Sequence, residues 1–354
     1  MISQFTTRLI GGVLSAVCTL SLNTSAVSAG PQDNTRYGPG VAKIEVSDTY
    51  GDRPLAGDIW YPTNTPGRMQ KADKSKVWEM APADPNGTPA KGPFPLIVVS
   101  HGMYGNTFNQ AWLGSELSRR GFVVAMVNHP GTSTFLRDPD QARELWKRPA
   151  DLSRLISYLT GPSDYRALID ETRIHAAGHS LGGFTVMLLA GARFDSARYE
   201  TACNVETPPV ACGVLKGWSV AETPGDQGAM QADLKDPRVS KVISMDLGGT
   251  PVFSRASLGA IDIPILVLGS GRADMLNQDV ESRALSRALP DTMTRHIELK
   301  DAGHFDFMGK CKPEGFAILQ EHEPGDEIVC IMGSVERAEQ HQRIVEEILS
   351  FLGS

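Results

Sequence analysis

The segment RIHAAGHSLGG, residues 173–183, places Ser180 between glycines at 178 and 182. A β-like run precedes the serine and the helix-like run LGGFTVMLLA begins directly after it, which predicts a strand-to-helix turn. Such a turn exposes the serine hydroxyl above a sheet, and the two glycines leave the room that tight packing needs. Ser180 is therefore a candidate nucleophile for acyl transfer, although a serine that only caps a helix would fit the same letters.

A nucleophilic serine needs a base that accepts its proton and a carboxylate that orients the base. We expect His304 to be the base, because it follows a strand-like run, in KDAGHFDFMG, where a loop can carry an imidazole to the serine. We expect His322, in an acidic stretch, to lie in solvent. His341 lies in the predicted terminal helix, where a surface role is expected.

Two aspartates compete for the position of the orienting carboxylate. Asp274 follows the strand-like run IPILVLG by a short loop. Asp246 ends an earlier strand-like run in ISMDLGG, and this position can also face the serine. Both give the chain order serine, aspartate, histidine that such a sheet favours. We favour Asp274, with Asp246 as the alternative.

The stretch SHGMYGN, residues 100–106, follows the apolar run PLIVVS and is the candidate oxyanion loop. We expect the backbone N–H groups of Met103 and Leu181 to stabilise the negative oxygen that forms during acyl transfer. His129, in VNHPGT, ends another strand-like run but precedes the serine in the chain. We expect it to be structural or to face the substrate.

The elements that must position these residues follow an alternating pattern. Continuous apolar runs predict strands that are buried on both faces, and helix-like stretches lie between them. The predicted strands are 41–46, 55–62, 95–100, 122–128, 173–178, 241–247, 263–269 and 295–300, and the predicted helices are 110–120, 141–159, 181–192, 276–288 and 335–352. This alternation predicts an α/β fold with a mostly parallel sheet and helices on both faces. Residues 194–237 lack the pattern, and we predict an insertion or lid there.

The first residues predict a signal peptide over 1–29, because Arg8 precedes a short apolar run and small residues end the segment near Ala29. We therefore expect a secreted or periplasmic protein whose single domain spans 30–354. In an oxidising compartment, cysteines are expected to form disulfides. Proximity in the chain favours the pairs Cys203–Cys212 and Cys311–Cys330. A zinc site is not expected, since the CxxC spacing is absent.

The formal net charge of −7 argues against a nucleic-acid partner, which would require a basic face. The N-terminal apolar run is too short for a convincing transmembrane span, so stable membrane insertion is not expected. The chemistry described above requires neither a metal nor an organic cofactor. The expected partner is a small-molecule or polymeric ester, and the sequence leaves the oligomeric state open.

Taken together, SHGMYGN, VNHPGT, KRPADLSRLI, GHSLGG and AGHFDFMGKC resemble the α/β-hydrolase superfamily. The stretches are similar to bacterial predicted dienelactone hydrolases, which are related to platelet-activating-factor acetylhydrolases. The resemblance covers most of the chain after the predicted signal peptide. It implies an α/β-hydrolase fold and an esterase reaction, with Ser180, Asp274 and His304 at the catalytic positions.

Two features depart from this resemblance. Dienelactone hydrolases carry a cysteine nucleophile, so Ser180 argues against dienelactone itself as the substrate. The loop GSGRADM is one residue longer than the usual acid loop, while MDLGG resembles the acid position of the acetylhydrolases and keeps Asp246 open.

The sequence therefore predicts an exported serine hydrolase that cleaves carboxylic esters through an acyl-enzyme on Ser180. Three alternatives stay open. An amidase or peptidase would use the same triad, and so would a polyester or polymer hydrolase, which a shallow, open cleft would favour. A non-catalytic binding protein on a hydrolase fold is the third.

Overall fold

The computed structural model describes residues 36–48, 51, 53–65, 75–331 and 336–353, so the predicted signal peptide lies outside the described residues. Within these ranges, eight strands of five residues or more belong to one central sheet. They are β1 (Gly38–Val46), β2 (Leu55–Thr63), β3 (Phe94–Ser100), β4 (Val123–Val127), β5 (Ile169–His179), β6 (Val239–Met245), β7 (Ile265–Ser270) and β8 (Thr294–Leu299). A two-residue strand, Asp84–Pro85, extends the sheet beside β1.

The strands lie in the spatial order β8-β7-β6-β5-β3-β4-β2-β1. Strand β2 runs antiparallel to both β1 and β4, whereas β3 to β8 pair in parallel. The predicted mostly parallel sheet is confirmed. Because parallel strands end at the same edge, the segments that follow β3, β5, β6 and β8 can meet above the sheet.

Helices connect the strands and flank the sheet. They are α1 (Ala111–Ser118), α2 (Pro139–Ala142), α3 (Lys147–Thr160), α4 (Leu181–Leu189), α5 (Ser196–Cys203), α6 (Val210–Gly217), α7 (Pro224–Gln231), α8 (Arg255–Gly259), α9 (Ser282–Ala288), α10 (Gly315–His322) and α11 (Arg337–Leu352). No helix among the described residues is long and apolar enough to span a bilayer.

The two faces of the sheet bury different side chains because successive residues of a strand point to opposite sides. Every residue of β3 is buried: Leu96 and Val98 belong to the core shared with α3 and α4, whereas Ile97 and Val99 face α1 and α11. This explains why the central strands appear in the sequence as continuous apolar runs rather than alternating ones.

The segment 194–237, predicted as an insertion or lid, contains the short helices α5, α6 and α7. A disulfide joins Cys203 at the end of α5 to Cys212 in α6, and a second joins Cys311 to Cys330 across α10. Both predicted pairings are confirmed. The predicted strands match with shifts of up to four residues at their ends. The helix predicted over 276–288 begins only at Ser282, and the one predicted over 141–159 divides into α2 and α3.

Candidate active site

Ser180 occupies a strained turn between β5 and α4. Its backbone has φ 56° and ψ −121°, a region that residues with a Cβ rarely adopt, and its N–H donates to Met245 O at 2.9 Å. The two flanking glycines permit this turn. A Cβ on Gly178 would lie 2.1 Å from Gly182 O, and one on Gly182 would lie 2.0 Å from Ser100 O. The sequence folds this way because both close approaches are to backbone atoms that cannot move aside.

His304 follows β8 and its imidazole faces the serine. Its Nε2 lies 3.0 Å from Ser180 Oγ, and its Nδ1 lies 2.6 Å from Asp246 Oδ2. His304 and Asp246 are buried, with 3% and 0% of their surface exposed. Because a carboxylate can only accept, Nδ1 carries the hydrogen and Nε2 is left free to take a proton from the hydroxyl. The three side chains therefore have the arrangement of a serine–histidine–aspartate triad.

The preference for Asp274 over Asp246 is not supported by this geometry. Asp274 accepts a hydrogen bond from the backbone N–H of His304 at 3.2 Å, lies 3.5 Å from Arg272, and is about one-third exposed. The reason is the strand order: Asp246 directly follows β6, the neighbour of β5, while Asp274 follows β7, one strand farther from Ser180. Asp246, the alternative in the sequence analysis, faces the imidazole.

Asp246 is held firmly in its ionised form. Its second oxygen, Oδ1, accepts from the N–H of Ser270 and from Nε2 of Gln278, both at 2.8 Å. Burial opposes ionisation, but the hydrogen bond and charge of His304, together with the Ser270 N–H, lower the pKa of Asp246 below its usual value. The carboxylate can therefore orient the imidazole and stabilise the imidazolium that forms when the serine is deprotonated.

His179, next to the serine, supports the triad by holding the backbone of His304. Its Nε2 donates to His304 O at 2.8 Å, and its ring stacks on Phe307. Burial, together with the neighbouring His304, lowers the pKa of His179 to about 3. The ring is therefore neutral, and its Nε2–H donates the hydrogen bond that holds the His304 carbonyl in place. This role could not be predicted, because nothing in the residues Gly-His-Ser reveals a hydrogen bond to a carbonyl 125 residues away.

The oxyanion loop, residues 100–106, approaches the serine from β3. A Cβ on Gly102 would lie 3.2 Å from Ser180 Cβ, so the loop backbone borders the hydroxyl directly. Met103 and Leu181 both line the cleft that contains Ser180 and His304. The structure thus brings both predicted oxyanion residues to the cleft that contains Ser180.

A narrow cleft of about 120 Å³ lies above the serine and opens to solvent. Helix α6 forms one wall with four apolar side chains, and the oxyanion loop and the histidine loop form the other sides. The apolar lining residues are Val210, Ala211, Val214 and Leu215 from α6, together with Phe184, Met275, Leu276, Phe305 and Met308. Helix α6 of the segment 194–237 therefore forms part of the cleft wall.

Three other histidines, His322, His341 and His129, make no contact with Ser180. His322 ends α10 and is exposed, as expected. The surface role expected for His341 is wrong: its ring is buried, stacks on Trp112 with ring centroids 3.6 Å apart, and its Nε2 donates to Met308 O at 2.8 Å. The amphipathic pattern of α11 does not reveal that this position faces another helix. His129 is fully buried and makes no contact with the cleft, so it is structural rather than substrate-facing.

A buried acid, Glu281, supports the loop after β6. Its Oε2 accepts from the N–H groups of Gly249 and Thr250 at 2.9 and 2.8 Å. Burial raises the pKa of Glu281 to about 8. Between the ordinary pKa of a glutamate and this value, the folded protein holds a proton that the unfolded chain releases. The contribution of Glu281 to the free energy of unfolding therefore falls as pH rises through this window, by up to about 1.4 kcal/mol per pH unit.

Within the described ranges, no three His, Cys, Asp or Glu side chains converge as a metal site would require.

Comparison with known proteins places the fold. A solved ferulic acid esterase from Streptomyces cinnamoneus superposes with a TM-score of 0.61 at 20% identity, covering 92% of this chain and 91% of that one. The chain has the α/β-hydrolase fold. No protein-family model matches the sequence.

Curated relatives match over shorter stretches. Bis(hydroxyethyl) terephthalate hydrolase of Streptomyces coelicolor is 28% identical over 48% of this chain and 41% of its own length. Cutinase 1 of Thermobifida cellulosilytica is 34% identical over 36% of this chain and 44% of its own length, and cutinase 2 of that organism is 29% identical over the same shares. The chain thus spans less than half the length of these relatives. They bear names of ester hydrolases, whereas the resemblance to dienelactone hydrolases and acetylhydrolases stays a prediction.

Proposed function

We propose that this protein is a serine hydrolase that cleaves carboxylic esters through an acyl-enzyme on Ser180. The observation that carries the proposal is the continuous contact from Asp246 Oδ2 to His304 Nδ1 and from His304 Nε2 to Ser180 Oγ, on a strained strand-to-helix turn. The ester-hydrolase names of the relatives agree with it.

In this mechanism, His304 takes the hydroxyl proton as Ser180 Oγ attacks the ester carbonyl. The N–H groups of Met103 and Leu181 stabilise the tetrahedral oxyanion. His304 then gives its proton to the departing alcohol, and water, activated by the same imidazole, hydrolyses the acyl-enzyme. Asp246 remains ionised throughout and holds the imidazole in the required tautomer.

The wall formed by α6 favours esters with an apolar acyl or alcohol group of limited width. The cleft is apolar, and the Cys203–Cys212 disulfide fixes α6 to α5 beside it. A shallow, open groove, which a polymer chain would require, is less compatible with this cover. The disulfides also agree with export after cleavage near Ala29, because such bonds persist in oxidising compartments.

The test is hydrolysis of p-nitrophenyl esters graded from acetate to dodecanoate, together with an aromatic diester, a p-nitroanilide and a polyester film. We expect turnover of soluble esters with a maximum at short to medium chains, and none by Ser180→Ala. The matched control is Ser254→Ala, which removes a helix-capping serine and should hydrolyse esters like the parent. Ester turnover retained by Ser180→Ala would contradict the proposal, and preference for the anilide would assign an amidase instead.

A further inference from the structure

A buried arginine lies beneath the oxyanion loop. Arg148, in α3, is 1% exposed. Its Nη2 donates to the backbone oxygen of His101 and to Ser100 Oγ, the latter at 3.1 Å. The rest of the guanidinium donates to Thr132 Oγ1 and, at 2.9 Å, to Thr185 Oγ1. All four acceptors are neutral, and two of them belong to the loop that borders Ser180.

A second series of buried hydrogen bonds supports the oxyanion loop at Ser100. Ser100 Oγ lies 2.9 Å from His129 Nε2, and His129 Nδ1 lies 2.9 Å from Asp151 Oδ2. Arg53 in turn donates to both oxygens of Asp151, each at 2.9 Å. The three residues Ser100, His129 and Asp151 have the order of a catalytic triad, but at most 1% of each is exposed, so no substrate reaches them. We call this series of hydrogen bonds, from Ser100 through His129 and Asp151 to Arg53, the buried relay.

The buried relay also fixes the imidazole of His101. The backbone N–H of His129 donates to His101 Nε2 at 3.0 Å, so the ring hydrogen lies on Nδ1, which donates to Gly102 O at 2.7 Å. Burial and the charge of Arg148 keep the pKa of His101 well below its ordinary value, so the ring is neutral. Because a peptide group is planar and trans, fixing Gly102 O also fixes the direction of the Met103 N–H.

A buried cation without a bound carboxylate is costly, and an apolar side chain of similar volume often serves folding as well or better. The hydrogen bonds of Arg148 to the oxyanion loop indicate that the arginine serves catalysis rather than folding. We propose that Arg148 is a positioning residue for oxyanion stabilisation: with the buried relay, it holds the carbonyl groups of His101 and Gly102 so that the following N–H groups face the Ser180 hydroxyl. This inference rests on the proposed ester hydrolysis.

The experiment compares the parent with Arg148→Met and Arg148→Lys. For each protein, kcat and KM are measured for p-nitrophenyl butyrate, and the inhibition constant is measured for an alkyl trifluoromethyl ketone, whose adduct carries the oxyanion. Misplacement of one donor by about 1 Å costs on the order of a hundredfold, so we expect kcat to fall about 10- to 100-fold for Arg148→Met with KM within about twofold. The inhibition constant should rise by the same factor, and Arg148→Lys should be intermediate.

The control is Arg238→Met, because Arg238 donates to Ser153 O and Asp236 and has no contact with the oxyanion loop. We expect its kcat and inhibition constant to equal those of the parent. If Arg148→Met does not fold, Thr132→Val removes one anchor of the guanidinium and should lower kcat and inhibitor affinity together by a smaller factor.

Parent-like kcat and inhibitor affinity in the folded Arg148 variants would overturn the inference, as would a loss of kcat with unchanged inhibitor affinity. Both results presuppose a parent that hydrolyses esters. A parent that neither turns over esters nor binds the ketone would instead refute the proposed function itself.

Discussion

Replacing Asp246 by asparagine tests which carboxylate orients His304. In the parent, Asp246 Oδ1 already accepts from Ser270 N–H and Gln278 Nε2, so the amide oxygen of the asparagine must keep that position. The amide NH₂ then takes the place of Oδ2 and faces His304 Nδ1. The imidazole must accept this bond on Nδ1, which moves its hydrogen to Nε2 and leaves no lone pair for the Ser180 proton.

The same replacement of an orienting aspartate costs serine proteases about 10,000-fold in kcat, so we expect Asp246→Asn to lose about 1,000- to 10,000-fold, or about 4–5.5 kcal/mol of transition-state stabilisation. The assay is kcat/KM for p-nitrophenyl butyrate, with thermal unfolding to show that the variant is folded. Asp274→Asn is the matched control, because its amide oxygen can still accept from His304 N–H, and we expect less than a tenfold loss. A large loss in Asp274→Asn with near-parental activity in Asp246→Asn would refute the assignment.

Three further predictions concern residues that support the site: a glycine, a buried acid and a disulfide. Gly182→Ala should abolish ester turnover and lower the free energy of unfolding by more than about 3 kcal/mol, because the added Cβ would clash with a backbone oxygen. In the control Gly213→Ala, the added Cβ meets nothing within 4 Å, so we expect neither quantity to change. Ester hydrolysis and urea denaturation measure the two quantities. Relative to Glu281→Gln, the parent should lose free energy of unfolding as pH rises from 5 to 8; equal slopes for both proteins would disprove a raised pKa. Replacing both Cys203 and Cys212 by serine should cost about 2–3 kcal/mol and extend turnover to bulkier esters, because α6 loses its tie to α5; an unchanged chain-length profile would contradict a lid role.

Much of the fold could be predicted from the sequence because the central strands are buried on both faces and form continuous apolar runs. The strained turn at Ser180 could also be predicted from the sequence. The turn has no room for side chains at positions 178 and 182, so the glycines there mark it. His304 could be found because it follows a strand whose end must lie at the same sheet edge as Ser180.

The choice of acid could not be made from the sequence. Asp246 and Asp274 both follow strands that end at the catalytic edge, and chain distance does not tell which strand lies beside β5. The helices of the insertion escaped prediction because each is only eight residues long, too short for its sequence alone to mark it as a helix. The buried roles of His179, His341 and Arg148 involve backbone carbonyls, which carry no signal in the sequence.

The central claim is that Ser180 is an activated nucleophile rather than a helix cap. Its most direct test is the intact mass of the purified protein after treatment with a fluorophosphonate, beside Ser180→Ala and Ser254→Ala. We predict a single adduct on the parent and on Ser254→Ala, and none on Ser180→Ala. An unlabelled parent that is folded, or an adduct that persists in Ser180→Ala, would contradict the account.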